Sequence, residues 1–192
     1  MAEFSLIVAK APLAEFMTCL TRRVDLWKVG DPARLAQLEF DTDDGEQYIA
    51  VGVYGGTTYV YDHYSAGIAD AADLFSDMSA ELQTTIAAGT VNPVLGIYTF
   101  LLARGGNLLR HYENRGGHYD APYDVGVPLE CERLAPLEDF HGDNIRRAFR
   151  EVGFEVEPIN FIDLTPYEIA ESDLYTGPNA KAFEAFLRAH KR

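Results

Sequence analysis

Two glycine pairs, Gly55–Gly56 and Gly105–Gly106, each split a run of β-branched, aromatic and aliphatic residues, and such a chain is driven toward antiparallel hairpins. Glycine enters positive φ without the clash a Cβ would meet, as the tight turns of two-residue hairpins require. "QYIAVGVY" leads into the first pair and "TTYVYDHY" leaves it; "VLGIYTFLLA" leads into the second and "NLLRHYE" leaves it. Upstream, "RLAQLEFDT" and the Asp44–Gly45 turn predict one more strand, so this part of the chain reads as a three-strand meander. "FSLIVA" at residues 4–9 predicts a further short strand.

Helices are predicted by apolar spacing. Pro12 stands at a first helical position, followed by Leu13, Phe16, Met17 and Leu20 on one face. From Asp70 to about Gln83, the residues Ala71, Ala72, Leu74, Phe75, Met78 and Leu82 supply an apolar face, with Asp70 as cap. Within 138–152, Ile145, Ala148, Phe149 and Val152 share one side and Gly153 fits the stop. "FEVEPINFIDL" predicts a strand, "TPYE" a capping box that starts a short helix at Pro166, and the tail from Pro178 a last helix. The expectation is a single α+β domain over residues 1–192: an antiparallel, mostly meander sheet covered by helices on one face. Tyr48 and Tyr98 fall in register against the two glycine pairs, which an internal pseudo-repeat explains; chance recurrence of a common turn explains it equally.

Charge narrows function. The 192 residues carry a formal net charge of −14, which repels nucleic-acid phosphate and disfavours a nucleic-acid-binding role. From Leu35 to Ala103 there is no Lys or Arg, yet this run holds Glu39, Asp41, Asp43, Asp44, Glu46, Asp62, Asp70, Asp73, Asp77 and Glu81. On the predicted helix, Asp70, Asp73, Asp77 and Glu81 recur at helical spacing and form a ridge of carboxylates. That ridge, with Asp41, Asp43, Asp44 and Asp62 of the meander, is expected to be the partner-binding surface. A solvated helix face in an acidic protein is the blander account of the same residues. The only early apolar run, Phe4–Ala9, is too short for an export leader, and no apolar stretch approaches a bilayer span; a cytoplasmic protein is expected.

The densest chemistry is "RHYENRGGHYDAPYD" at residues 110–124. His111 and Glu113 share a strand face, and His118 and Asp120 repeat the spacing beyond Gly116–Gly117. Folded back, the four could hold Zn²⁺ or Mn²⁺ in a metal-assisted hydrolase. The spacing matches no ligand motif with its own mechanism, however, and Arg110 and Arg115 offer the carboxylates nearer partners. An exposed loop after a hairpin strand is the simpler expectation, with no metal or cofactor. No G-x-S-x-G elbow or P-loop is present, and in "DTDDGE" Gly45 comes one residue too early for a calcium loop. No catalytic residue is therefore assigned. Cys19 reads as core packing, and Cys131 lies among carboxylates that disfavour a thiolate.

The order of elements over roughly residues 45–155 resembles bacterial domains in which a helix is followed by a meander, a GG or DG hairpin and a G-x-P-L-x-x-E segment. Here that segment is Gly126, Val127, Pro128, Leu129, Glu130, Cys131 and Glu132. More loosely, the chain is similar to the small acidic immunity proteins that bacteria pair with toxins. The resemblance implies a non-catalytic protein whose acidic surface meets a basic protein partner, and it transfers no functional residue.

Overall fold

The structure, a computed structural model, describes residues 4–39, 47–63, 72–115, 123–133 and 142–169. In chain order these form β1 (Phe4–Ala9), α1 (Leu13–Leu20), β2 (Leu26–Lys28), β3 (Ala33–Arg34), β4 (Gln47–Tyr54), β5 (Thr57–Asp62) and α2 (Ala72–Glu81). There follow β6 (Thr85–Asn92), β7 (Ile97–Arg104), β8 (Asn107–Arg115), β9 (Tyr123–Gly126), α3 (Glu130–Arg133), α4 (Gly142–Glu151) and β10 (Asp163–Ile169). The strands make one ten-stranded sheet in the order β2-β10-β4-β5-β1-β6-β7-β8-β9, with β3 also on β10. Every pairing is antiparallel, so the fold is the expected α+β class. Both glycine pairs turn hairpins, with φ of 56° and 78° at Gly55 and Gly56 and of 54° and 86° at Gly105 and Gly106.

The helices cover both faces of the sheet, not one. On one face Ile7, Val51, Val60, Ala88 and Leu101 pack with Phe16 and Leu20 of α1 and with Leu74, Phe75 and Met78 of α2. On the other, Leu6, Val8, Ala50, Tyr59 and Ala87 pack with Ile145, Ala148 and Phe149 of α4. The reason lies in the central strands. All of β1, and β6 as far as Val91, are buried, so these strands have no solvent face to offer and need a layer on each side. Small residues in β6 let α4 come close: a Cβ at Gly89 would meet the Thr99 carbonyl at 2.9 Å, the Phe149 ring at 3.0 Å and Ile145 at 3.1 Å. Phe149 sits edge-on to Phe100, with centroids 5.4 Å apart.

Three local expectations give way to tertiary pairing. Within "RLAQLEFDT", Arg34 ends β3 and Leu35–Gln37 is a single 3-10 turn, closed where the Gln37 side-chain oxygen accepts the Arg34 N–H at 3.3 Å; residues from 40 on lie outside the described residues. In place of a strand at "FEVEPINFIDL", Glu157–Asn160 forms a second such turn with Pro158 near its start. "DLTPYEI" is β10 and not a helix N-terminus. It is held between β2 and β4, with Thr165 to Ile169 in register against Val51 to Gln47. Pairing over five residues outweighs the local capping signal, and the Pro166 carbonyl still accepts Val29 N–H at 3.1 Å. The expected tail helix from Pro178 lies outside the described residues.

The pseudo-repeat is not confirmed. The first glycine hairpin joins the sheet centre through its second arm, β5 on β1, and the second through its first arm, β7 on β6. The two hairpins thus share a turn but not a place in the topology.

Gly89→Ala is expected to destabilise by about 1–3 kcal/mol in urea denaturation, because the added methyl overpacks a core with no room to relax. Gly55→Asn is the control. Its Cβ meets nothing within 4 Å and Asn tolerates the left-handed region, so its cost stays below about 1 kcal/mol.

Candidate functional site

At β8 the register with β7 slips: Leu102 faces Arg110 but Ala103 faces Leu108, leaving Leu109 as a bulge. The slip turns Arg110 onto the α4 face of the sheet, beside Tyr112, where its side chain is 0% exposed. A buried guanidinium must have its donors answered. Nε donates to both Glu132 carboxylate oxygens at 2.9 and 3.0 Å, and Nη2 donates to Glu132 as well. Nη1 donates to Asp124 and to the carbonyls of Val125 at 2.9 Å and His111 at 3.4 Å. The guanidinium carbon lies 5.7 Å from the Tyr112 ring centre. Burial lowers the Arg110 guanidinium, but the hydrogen bonds and charges of Glu132 and Asp124 outweigh it and hold the group above its ordinary value.

The G-x-P-L-x-x-E segment supplies the other half of this cluster. Gly126, at φ 92°, must be glycine, because a Cβ there would run into the Leu109 carbonyl. Its absence lets β9 close on the bulge and bring Asp124 in. Pro128 and Leu129 lead into α3, whose Glu132 reaches Arg110 and also accepts Leu129 N–H at 3.1 Å. From α4, Glu151 accepts the backbone N–H groups of Glu130 at 2.7 Å and Cys131 at 2.9 Å. Burial would raise the Glu151 carboxyl, but those amides hold it below the usual carboxylate range. Above the cluster opens a cleft of about 450 Å³, lined by Leu102, Leu109, Val127, Pro128 and Leu129, with Glu130, Arg133 and Glu151 also lining it.

Among the described residues the cleft has an apolar lining and paired charges, with no nucleophile activated by a base. Cys131, beside it, is buried, and burial with the neighbouring Glu151 pushes its thiol up to about 12. Cys19 is likewise buried in the α1 face, its thiol raised to about 11 by burial.

The structure places the sequence-derived candidates unevenly. Asp73 and Asp77 are half-buried along α2, and Asp73 accepts Leu74 N–H at 2.9 Å. Glu81 is bridged to Arg22 at 2.8 Å and Arg23 at 2.7 Å, just past the end of α1, so the ridge ends in an internal bridge, not in an open charge. Asp62 is 1% exposed; it shares a face with Val60 and lies under the surface. Asp41, Asp43, Asp44 and Asp70 lie outside the described residues. Of the alternative metal ligands, His111 and Glu113 do share a face, with 3.7 Å between Nε2 and a carboxylate oxygen. His118 and Asp120 lie outside the described residues. Among the described residues no three His, Cys, Asp or Glu side chains converge as a metal site. The "RHYE" end of residues 110–124 is the expected hairpin strand, with Arg110, His111 and Tyr112 buried in β8; the expected loop is shorter than predicted, because β8 runs on to Arg115 and Tyr123–Gly126 forms β9.

Comparison with protein-family models, curated proteins and solved structures finds no match for this chain. The site therefore rests on its own geometry. Glu132 and Asp124, at its centre, were missed as a pair with Arg110. The available signal was an arginine between apolar neighbours in a hairpin arm, "NLLRHY", which places a cation where only carboxylates can make it tolerable.

Glu132→Ala is expected to cost about 3–5 kcal/mol by chemical denaturation, since it leaves the buried guanidinium short of its main partner. The double substitution Arg110→Leu with Glu132→Leu should cost less than Glu132→Ala alone, because no buried charge remains unanswered at the centre and Asp124 can hydrate.

Proposed function

We propose that this chain is a non-catalytic acidic binding protein that docks a basic protein partner, an immunity or inhibitor role being the concrete form. The observation that supports the reading is where the positive charges go. Lys28 approaches Asp31 at 3.9 Å, Arg34 approaches Asp163 at 3.1 Å, Arg133 approaches Glu130 at 3.3 Å and Arg146 approaches Asp143 at 3.5 Å. Arg150 meets Glu155 and Glu157, Arg22 and Arg23 share Glu81, and Arg110 is enclosed by Asp124 and Glu132. With these cations answered inside the chain, the excess of 30 acids over 16 bases sets the sign of the outer field. Such a field steers a basic partner and raises its encounter rate more than it deepens the complex. The half-buried flank of α2, with Asp73 and Asp77, lies in the base-free stretch and is the surface assigned to first contact. No helix among the described residues is long and apolar enough to cross a membrane.

Capture from the native host, with the neighbouring gene product as first candidate, supplies the partner for a kinetic test. Its association rate should fall steeply as the Debye length shrinks from about 30 Å at 0.01 M salt to about 10 Å at 0.1 M. Asp73→Lys with Asp77→Lys should slow association about tenfold at low salt with an unchanged circular-dichroism spectrum. An association rate indifferent to both salt and the double reversal contradicts the reading.

A further inference from the structure

A second cavity, of about 120 Å³, lies where β1 and β5 meet α4 and the 3-10 turn that follows it. It is separate from the cleft over Arg110 and independent of the docking role proposed above. Its lining is largely apolar: Phe4 and Leu6 of β1, Ile159 of the turn and Leu35 from the earlier 3-10 turn, with Tyr61 of β5 beside them. Protein interiors leave few voids larger than a water, whereas an apolar void of about 150 Å³ suffices to hold benzene. At about 120 Å³ the space is somewhat smaller than that, so it takes at most one ring, with a polar substituent left at the partly exposed Arg146.

The polar groups at the cavity are few and unlike one another. Glu157 is engaged by Arg150 and accepts Val156 N–H at 3.2 Å. Asn160 donates to the Glu157 carbonyl at 3.4 Å. Arg146 stands with its guanidinium 5.0 Å from the Phe4 ring centre and 3.5 Å from Asp143, its side chain 22% exposed. The cation–π approach to Phe4 places the guanidinium beside the apolar floor, and its fork of donors suits a carboxylate. α4 carries Arg146, Arg147 and Arg150 within ten residues, of which Arg146 alone lines the cavity.

We propose that this cavity binds a small organic acid, an apolar body of about one ring carrying a single carboxylate that pairs with Arg146. Benzoate is the probe, with benzyl alcohol as its uncharged counterpart, titrated into the full chain by calorimetry and by amide chemical-shift mapping. Benzoate should bind saturably at one site, shift Leu6, Tyr61 and Ile159, and bind tighter than benzyl alcohol. Arg146→Gln should weaken benzoate about tenfold or more, the loss of a charge-assisted pair, while leaving benzyl alcohol unchanged. Leu35→Trp, at a half-buried position on the lining, should fill the space and abolish both while the fold persists. Absence of saturable benzoate binding, equal affinity for the two probes, or benzoate binding untouched by Arg146→Gln overturns the proposal. So does benzoate binding that survives Leu35→Trp in a folded protein.

Discussion

Strands β1 and β6 run side by side in the middle of the sheet, and neither has a face left for water. β1 is buried along its whole length, and β6 as far as Val91. A strand buried on both sides removes its apolar groups from solvent twice over, at roughly 25 cal/mol for each Å² of apolar surface, but only if a layer of helix packs on each face. α1 and α2 form one layer and α4 the other. The small residues Ala87, Ala88 and Gly89 in β6 set how closely those layers approach. Both the Arg110 cluster and the α4 cavity follow from the second layer, since an arginine in β8 could not be enclosed if that face were open to water.

Charge is the second constraint, and it works against compactness. A chain at −14 repels itself, so each cation is most useful where it ties two elements together. Glu81 of α2 is held by Arg22 and Arg23 beyond α1. Arg110 joins β8 to β9 and α3, and Glu151 of α4 caps the start of α3 without any cation, through two backbone amides. Exposed bridges such as Lys28 with Asp31 contribute little stability; each neutralises one acid locally, and the net charge of −14 still sets the field felt by an approaching partner.

The hairpins and α1, α2 and α4 were legible in the sequence because their signals are local: a glycine pair that accepts positive φ, an apolar face at helical spacing, Gly153 at φ 88° after α4. What escaped was decided by partners far along the chain. "TPYE" carries a helix-start pattern, yet β4 pairs it as a strand. Asp62 reads as a surface acid in an alternating strand, yet both faces of β5 are covered and it is buried. Glu81 reads as the end of an open ridge, yet Arg22 and Arg23 lie far from it in sequence and next to it in space. Arg110 was recognised as a partner for nearby carboxylates. That Glu132 would be that partner depended on a β-bulge at Leu109 and on Gly126, neither of which has a periodic signature.

The central claim is that, among the described residues, arginines and backbone donors hold particular carboxylates in place, while the net excess of acids sets an outward negative field. Side-chain carboxyl titration by carbon-13 NMR tests it residue by residue. Glu81 is held down by hydrogen bonds from Arg23 and the charges of both arginines, Glu157 by its backbone and Arg150, and Glu151 by the amides of Glu130 and Cys131. All three should therefore titrate below the ordinary glutamate value of about 4.3. If Glu81, Glu151 and Glu157 instead titrate at or above that value, the arginine bridges to Glu81 and Glu157 and the amide bonds to Glu151 are not formed, and the account is contradicted.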